Sequence, residues 1–295
     1  MPSGNFTALV TPFLKNKNID YAKLKELTIR QIKMGTTGIV ALGSTAEAST
    51  LNEYEKHKIM ETIVSSSNKK AIIIAGINAF SLDNALSQSL QRFIDGADAL
   101  LIPPPPYIKP SKKGLLDFYQ TLADQSYIPI ILYNIPSRTG INIPTDLIQT
   151  LSLHPNIVGI KEASGDINYA LSISKYVNNS FSLLSGNDNL LLPLLSLGAS
   201  GIISVIGNIS PTICEQTIKN FQSSNPSKAK DYYHSHLNLI DALSFESNPI
   251  CIKYIMSKLN LIKPYYRKPL CEPDKTTKKK INAVLKNCNF FEEIQ

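Results

Sequence analysis

Ala71-Ile-Ile-Ile-Ala75 is apolar at every position and does not alternate with polar residues. A β-strand of this composition is buried on both faces, which is typical of a parallel sheet covered by helices. Other short runs of β-forming residues occur along the chain, at residues 6–10, 38–42, 98–102, 129–133, 157–161, 181–185 and 200–204. Together with the first run, they predict eight parallel strands.

The segments between these runs have the apolar spacing of amphipathic helices, most clearly at residues 21–34, 52–64, 115–122 and 169–177. Asn52 followed by Glu55 predicts a helix N-terminus with a capping box. Repeated strand-then-helix units predict an α/β fold, the (β/α)8 or TIM barrel. A doubly wound open sheet is the alternative, and it is weakened because the sequence has no glycine-rich nucleotide loop.

Helical spacing continues after the last strand run, at residues 211–222, 226–247, 249–259 and 276–285. The first of these segments completes the eighth strand-helix unit of the barrel. The others lie beyond it and therefore form an addition to the barrel. We predict a catalytic barrel over residues 1–224 and a C-terminal helical extension over residues 225–295.

The composition is that of a folded protein, since 43% of the 295 residues are hydrophobic and 18% are charged. The net charge of +7 comes from scattered basic residues and from Lys278-Lys-Lys280, which we interpret as a solvated helix face. This charge indicates a mild attraction for acidic substrates. The basic residues do not interleave with aromatic ones, so we predict no nucleic-acid partner.

The four cysteines, Cys214, Cys251, Cys271 and Cys288, have neither the spacing of a zinc site nor the density of a disulfide framework. The N-terminus lacks a signal-peptide pattern, and no apolar stretch is long enough to span a membrane. The sequence also lacks a phosphate-binding loop. We predict a cytoplasmic protein with no metal, no cofactor and no membrane partner.

Lys161 follows the apolar run Ile157-Val-Gly-Ile160, at the strand end where barrel enzymes place their active sites. Burial disfavours a charged amine, and a neutral amine can attack a ketone to form an imine. The alternative is a lysine that ends a strand and points into solvent. Position alone favours that alternative.

Other reactive side chains follow neighbouring strand runs. Tyr133 is either a proton donor and acceptor beside an imine or a core tyrosine. Ser44 and Thr45 can bind a carboxylate or cap a helix. Arg138 can bind a carboxylate through two parallel hydrogen bonds, or it can form a surface salt bridge. Tyr107 follows Pro103-Pro-Pro-Pro106, a stiff loop that can project it away from its own barrel.

Several segments agree in order and spacing with one known family. They are Ala8-Leu-Val-Thr-Pro12, Gly43-Ser-Thr-Ala-Glu47, Pro106-Tyr107, Tyr133-Asn-Ile-Pro-Ser-Arg-Thr-Gly140, Gly159-Ile-Lys-Glu-Ala-Ser-Gly-Asp166, Leu184-Ser-Gly186, and Gly201-Ile-Ile-Ser-Val205 with Asn208. Over essentially its whole length the chain resembles the dihydrodipicolinate synthase family, within the N-acetylneuraminate lyase superfamily. The resemblance implies an aldol condensation of pyruvate with L-aspartate 4-semialdehyde in diaminopimelate and lysine biosynthesis.

The resemblance also implies roles for the reactive residues. Lys161 forms the pyruvate imine, and Tyr133 shuttles protons. Ser44, where the family usually has threonine, links Tyr133 to Tyr107 in a hydroxyl relay. Tyr107 enters the neighbouring subunit's site, which implies a homo-oligomer, a dimer of dimers.

Substrate-binding roles are implied for four further residues. Thr45, Gly186 and the Ile203 backbone hold the pyruvate end of the imine. Arg138 binds the carboxylate of the aldehyde. Arg138 also favours the synthase over the sialic-acid lyases of the superfamily, which usually lack this arginine.

Three departures from the family pattern bear on activity and regulation. Ser44 keeps the hydroxyl but loses a methyl group that limits rotamers, so we expect activity to survive. Ala46 replaces a usual glycine and is strained if that position requires a positive φ. The residues at the pocket where lysine-inhibited members bind lysine also differ, and they are Glu53, Lys56, Phe80, Asn84 and Pro106. We therefore expect weak sensitivity or none to lysine.

Two other functions remain open. A different pyruvate-dependent aldolase of the superfamily, acting on a sugar acid or a hydroxy-oxo acid, would use the same Lys161 imine without needing Arg138. A non-catalytic barrel is the third possibility, and it has no need for Lys161, Tyr133, Tyr107 and a hydroxyl at position 44 together.

Overall fold

The computed structural model describes residues 2–223 and 225–287. Within these residues, eight parallel strands form a closed barrel in which each strand pairs with its sequence neighbour and the last pairs with the first. The strands are β1 (Gly4–Ala8), β2 (Gly38–Ala41), β3 (Ile72–Gly76), β4 (Ala99–Ile102), β5 (Ile130–Asn134), β6 (Ile157–Glu162), β7 (Ser182–Ser185) and β8 (Gly201–Ser204). The (β/α)8 barrel predicted from the sequence is confirmed.

Helices follow the strands around the barrel. They are α1 (Tyr21–Lys33), α2 (Glu53–Ser67), α3 (Leu82–Ile94), α4 (Lys112–Gln125), α5 (Pro136–Thr139), α6 (Thr145–Leu151), α7 (Ile167–Ser174), α8 (Leu191–Ser196) and α9 (Pro211–Gln222). Beyond them lie α10 (Pro226–Ser235), α11 (Leu237–Ala242), α12 (Ile250–Lys258) and α13 (Lys275–Asn287). The capping box predicted at Asn52 and Glu55 is present at the start of α2.

Two apolar layers explain why the strand runs lack alternation. Inward-facing side chains such as Phe6, Ile131 and Ile203 fill the barrel interior. Alternate side chains such as Leu132 and Ile202 pack in the larger layer between the strands and the helices. Since successive residues of a strand point to opposite faces, both sets must be apolar.

Barrel closure depends on a close approach between β1 and β8. A Cβ atom added to Gly201 would lie 2.0 Å from the backbone oxygen of Gly4. No L side chain fits in that space, so glycine is required at position 201 for the two strands to pair.

The structure differs from the sequence prediction at residues 226–247. One helix was predicted there, but α10 and α11 are separate and meet at His236. The backbone oxygen of Tyr232 accepts a hydrogen bond from Ser235 Oγ at 2.7 Å and lies 2.8 Å from His236 Nδ1. In a continuous helix this oxygen would accept from the His236 backbone N–H, which here donates to the Tyr233 backbone oxygen. The Ser235 and His236 side chains thus compete with the backbone for the Tyr232 oxygen.

Some sequence predictions concern residues outside the described part of the chain. Ser224, at the predicted boundary between barrel and extension, and residues 288–295 with Cys288 are among them.

Cys214, Cys251 and Cys271 are free thiols. Among the described helices, none combines the length and hydropathy needed to cross a membrane. Residues 2–223 and 225–287 contain no group of three or more His, Cys, Asp or Glu side chains arranged to hold a metal ion.

Candidate active site

Lys161 and Tyr133 are direct neighbours across adjacent strands at the carboxyl end of the barrel. They occupy paired positions of β6 and β5. Both are buried, with 5% and 7% of their surfaces exposed. The Lys161 Nζ atom lies 4.3 Å from the centroid of the Tyr133 ring. Lys161 therefore does not point into bulk solvent. Its amine contacts the ring face of Tyr133, and this residue also carries a hydroxyl group.

Asn134 and Glu162, the next residues on β5 and β6, point to the opposite face of the sheet from Tyr133 and Lys161. Their hydrogen bonds hold the strand ends together. Asn134 Nδ2 donates to Glu162 Oε2 at 2.8 Å, and the Ile143 backbone N–H donates to Asn134 Oδ1 at 3.0 Å. The Ser164 backbone N–H donates to Glu162 Oε1 at 2.6 Å. Burial raises the pKa of Glu162, and hydrogen bonds from Ser164 and Asn134 oppose that rise. This network fixes the backbone beneath Lys161 and Tyr133.

Gly186 follows β7 and packs directly against the lysine stem. A Cβ atom there would lie 2.5 Å from Ala163 Cβ and 3.0 Å from Lys161 Cε. Glycine at this position therefore leaves room for the lysine side chain to extend into the site.

Ser44, Thr45 and Ala46 form one 3-10 turn after β2. Thr45 is buried, and its Oγ1 accepts a hydrogen bond from Asn248 Nδ2 at 2.9 Å. Ala46 is not among the residues with positive φ, whereas Glu47 has φ 56°. The condition under which alanine would be strained is therefore not met at Ala46.

Arg138 lies on the short helix α5, which begins at Pro136 directly after β5. Its Nη2 donates to the backbone oxygen of Asn248 at 2.7 Å. Asn248 thus links Arg138 to Thr45, and its own Oδ1 is buried with no hydrogen-bond partner among the described residues. Arg138 is an exposed residue at the rim of the site.

These side chains surround one cavity of about 660 Å³. Its lining includes Ser44, Thr45, Tyr133, Arg138, Lys161 and Gly186. Ile203 lies fully buried within the barrel interior, in contact with the same apolar cluster as Tyr133. Tyr107 has φ 73° and 87% of its surface exposed, so it faces outward from its own barrel.

Asp188 is a buried carboxylate in this cavity, and it holds the loop that follows β8. It accepts hydrogen bonds from Ser204 Oγ at 2.5 Å and from the backbone N–H groups of Val205 and Ile206 at 2.9 and 3.2 Å. Burial raises the pKa of Asp188, whereas these hydrogen bonds and the nearby charge of Lys161 lower it. The Asp188 carboxyl group thus lies near Lys161 while its hydrogen bonds go to the loop after β8.

The C-terminal extension supplies a wall of the cavity that no sequence pattern predicts. Ile240, Leu243, Ser244, Glu246, Ser247 and Asn248 line it. Asn248 is separated from Thr45 by 203 positions, and its neighbourhood carries no motif that would place it there. A signal was available five residues later, where Lys253 interrupts the apolar segment Ile250-Cys-Ile-Lys-Tyr-Ile-Met256. A lysine inside an apolar helix needs a buried partner.

Comparison with known proteins identifies the family. The model of the dihydrodipicolinate synthetase family matches residues 1–288. The chain belongs to this family. A 4-hydroxy-tetrahydrodipicolinate synthase of Syntrophus aciditrophicus is 38% identical over 97% of the chain and 98% of that protein. One from Thermodesulfovibrio yellowstonii is 38% identical over 99% of the chain and 100% of its own length.

A solved structure agrees with these sequence relatives. It is the chloride-inhibited dihydrodipicolinate synthase of Acinetobacter baumannii, complexed with pyruvate. The sequences are 35% identical, the TM-score is 0.94, and the match covers 97% of this chain and 98% of that one. Membership of the family confirms the lyase class and the synthase activity predicted from the sequence.

Proposed function

We propose that this family member condenses pyruvate with L-aspartate 4-semialdehyde through an imine on Lys161. The observation that carries the proposal is the buried Lys161 amine, 4.3 Å from the Tyr133 ring centroid, at the end of a polar cavity. Tyr133, Ser44 and Tyr107 handle protons, while Thr45, Gly186, Ile203 and Arg138 bind the substrates.

The proposed reaction depends on converting the ketone of pyruvate into an imine, which withdraws electrons more strongly. The Lys161 amine attacks C2 of pyruvate, water leaves, and the protonated imine withdraws electrons from C3. A C3 proton is removed to give an enamine, and C3 then bonds to the aldehyde carbon, whose oxygen takes up a proton. The amino group of the second substrate finally replaces Lys161 at C2, which closes the ring and frees the lysine. Tyr133 is the side chain beside Lys161 that can carry these protons.

Arg138 is proposed to bind the aldehyde's carboxylate at the cavity rim. We expect Arg138→Lys to raise the KM for the semialdehyde roughly 10- to 100-fold, because the ammonium cannot form two parallel hydrogen bonds. Pyruvate binding and imine trapping at Lys161 should remain unchanged. Steady-state kinetics with each substrate varied in turn measures this difference.

The same kinetics, repeated over a set of aldehyde acceptors, separates the synthase from another pyruvate aldolase. A sugar-acid aldehyde preferred over the semialdehyde, and unaffected by Arg138→Lys, would favour the alternative function. Lys112→Met serves as a control, because Lys112 forms an exposed ion pair with Asp146 away from the cavity lining.

The proposed assembly is a homo-oligomer, a dimer of dimers, acting in the cytoplasm. Tyr107 supports it, because a tyrosine with 87% of its surface exposed lacks the site contacts that its proposed role requires. A second copy of the chain can supply those contacts. The free thiols Cys214 and Cys251 are typical of a reducing compartment.

Weak sensitivity or none to lysine is proposed from the departures at Glu53, Lys56, Phe80 and Asn84. Lys56 Nζ pairs with Glu53 Oε1 at 2.7 Å, so that carboxylate already has a cationic partner. The Phe80 side chain is 59% exposed and offers no polar atom to an ammonium group. Pro106 stands where lysine-inhibited members tend to carry tyrosine, so the phenol of that pocket is also missing. We expect a coupled assay with saturating substrates to show no inhibition at submillimolar L-lysine, and half-inhibition in that range would refute this expectation.

A further inference from the structure

Lys253 is a second fully buried lysine, located on α12 in the C-terminal extension. Its side chain has 0% exposure. The Nζ atom lies 4.3 Å from the Phe13 ring centroid and 5.0 Å from that of Tyr266. A lysine this deeply buried is rare in proteins unless it is paired, so its partner indicates what it does.

The partner is Glu47, whose side chain is also 0% exposed. Lys253 Nζ contacts Glu47 Oε1, and the Arg267 backbone N–H donates to Glu47 Oε2 at 3.2 Å. Both carboxylate oxygens are therefore held by residues of the C-terminal extension. Lys253 Nζ also donates to the backbone oxygen of Thr11 at 3.1 Å.

Glu47 is the residue that ends the Ser44–Ala46 turn. Its backbone is left-handed, with φ 56° and ψ 33°, and its N–H donates to the Ser44 oxygen at 3.1 Å. This conformation is uncommon for a non-glycine residue. The anchored carboxylate fixes the side chain of the residue that adopts it.

Thr11 provides a second route from Lys253 to the same turn. Its Oγ1 donates to the backbone oxygen of Ala46 at 2.7 Å, and its own backbone oxygen accepts from Lys253 Nζ. Lys253 therefore acts on two adjacent residues at the C-terminal end of the turn. One contact reaches Glu47 directly, and the other reaches Ala46 through Thr11.

A buried ion pair is a poor way to gain stability alone. The cost of removing both charges from water roughly cancels their attraction, and apolar residues of similar volume often serve as well. The pair does fix the orientation of both side chains, because the carboxylate oxygen and the ammonium group must lie within hydrogen-bond distance of each other. Its value therefore lies in the geometry that it imposes on the adjoining turn.

We propose that Lys253 is a positioning residue for catalysis, holding Glu47 and thereby the Ser44–Thr45 turn in its working arrangement. The proposal rests on the proposed roles of Ser44 and Thr45. It makes the C-terminal extension part of the catalytic apparatus, through a residue that does not touch substrate.

The charge state of Lys253 gives the proposal a measurable signature. Burial lowers the pKa of Lys253 to about 8, while Glu47 raises it and the more distant Lys17 and Arg267 lower it further. The remaining facing groups are the Phe13 ring, the Thr11 carbonyl and the Tyr266 phenol, whose own pKa is raised by burial. Above about pH 8 the ion pair is lost, so condensation should slow there.

Loss of the Lys253 proton should have the opposite effect on the free energy of unfolding. The folded-state pKa lies below the ordinary value of 10.5, so the unfolded chain binds the proton more tightly. The contribution of Lys253 to stability therefore rises as the pH increases from about 8 towards 10.5. A purely structural role would not make activity fall while this contribution rises.

The test compares Lys253→Met, the double variant Glu47→Leu with Lys253→Met, and Lys258→Met, an exposed lysine on the same helix, as control. We expect both Lys253 variants to lose kcat about 10- to 100-fold and to show a raised KM for pyruvate. The double variant should have a higher thermal midpoint than Lys253→Met alone, since it leaves no unpaired buried charge. Borohydride trapping of pyruvate on Lys161 should persist in every variant.

The wild-type pH profile keeps the proposal testable if these variants fail to fold. A kcat that stays flat from about pH 7 to about pH 9 would overturn it. So would Lys253→Met kinetics equal to those of Lys258→Met. Loss of pyruvate trapping in the wild type would instead defeat the proposed function, so the two failures are distinguishable.

Discussion

Lys161→Met is expected to lose condensation activity by more than about 10³-fold, since no other group can form the covalent bond to pyruvate. Methionine has nearly the same length and suits the apolar wall formed by Tyr133 and the Gly186 backbone. The variant should therefore fold, and removal of a buried amine should leave its thermal midpoint equal to or above that of the wild type.

Arginine at the same position is a sharper probe than methionine. Lys161→Arg keeps the positive charge, but the guanidinium stays protonated and is not a nucleophile. It should be as inactive as Lys161→Met if covalent catalysis is required. Lys175→Met, which removes an exposed lysine after α7, is the matched control and should retain full activity. Residual turnover above about 10⁻³ of the wild-type rate in either Lys161 variant contradicts the covalent mechanism.

Tyr133→Phe is expected to lower kcat by about 10²- to 10⁴-fold, the usual contribution of a positioned general acid or base. The ring, and with it the contact to Lys161 Nζ, is retained, so pyruvate should still be trapped on the lysine. A loss in kcat with little change in the KM for pyruvate is the result that proton transfer predicts. Single-turnover kinetics would place the loss in the condensation step.

Tyr169→Phe is the matched control for the loss of one phenol. The Tyr169 hydroxyl donates to the backbone oxygen of Ile143 at 2.6 Å in the layer outside the strands. Its removal should lower the thermal midpoint and leave kcat nearly unchanged. If Tyr133→Phe behaves like Tyr169→Phe, the Tyr133 hydroxyl has a structural role only.

Tyr107→Phe extends the proton-transfer test to the proposed partner subunit. The variant should lose activity, although less than Tyr133→Phe, since it lies further along the proposed relay. Refolding Tyr107→Phe chains together with Lys161→Met chains should restore activity, because a mixed dimer has one site with both groups intact. Activity no greater than the sum of the separate variants argues against a shared site.

Much of the fold could be predicted because its signals are local. The strand run at residues 157–161 matches β6 at Ile157–Glu162, since burial on both faces leaves an apolar run that few other structures require. The segment predicted at residues 211–222 matches α9 at Pro211–Gln222. The interruption at His236 was missed because it depends on side-chain hydrogen bonds to a single carbonyl.

The candidate site was predictable only where it follows strands. Lys161, Tyr133 and Thr45 are brought together by barrel closure, which places the ends of all strands at one mouth. Asn248 and Lys253 come from the C-terminal extension, and their partners Thr45 and Glu47 are more than 200 positions away in sequence. Packing of the extension on the barrel determines those contacts, and periodicity carries no information about it.

Every proposed step of the reaction depends on an imine between Lys161 and pyruvate. Sodium borohydride added to the protein with pyruvate, followed by peptide mass spectrometry, tests it directly. We expect one modified lysine, Lys161, carrying the mass of pyruvic acid less one oxygen atom. The adduct should be absent without pyruvate and absent in Lys161→Met. An unmodified Lys161, or an adduct on Lys253 or another lysine in its place, would rule out the imine mechanism at Lys161.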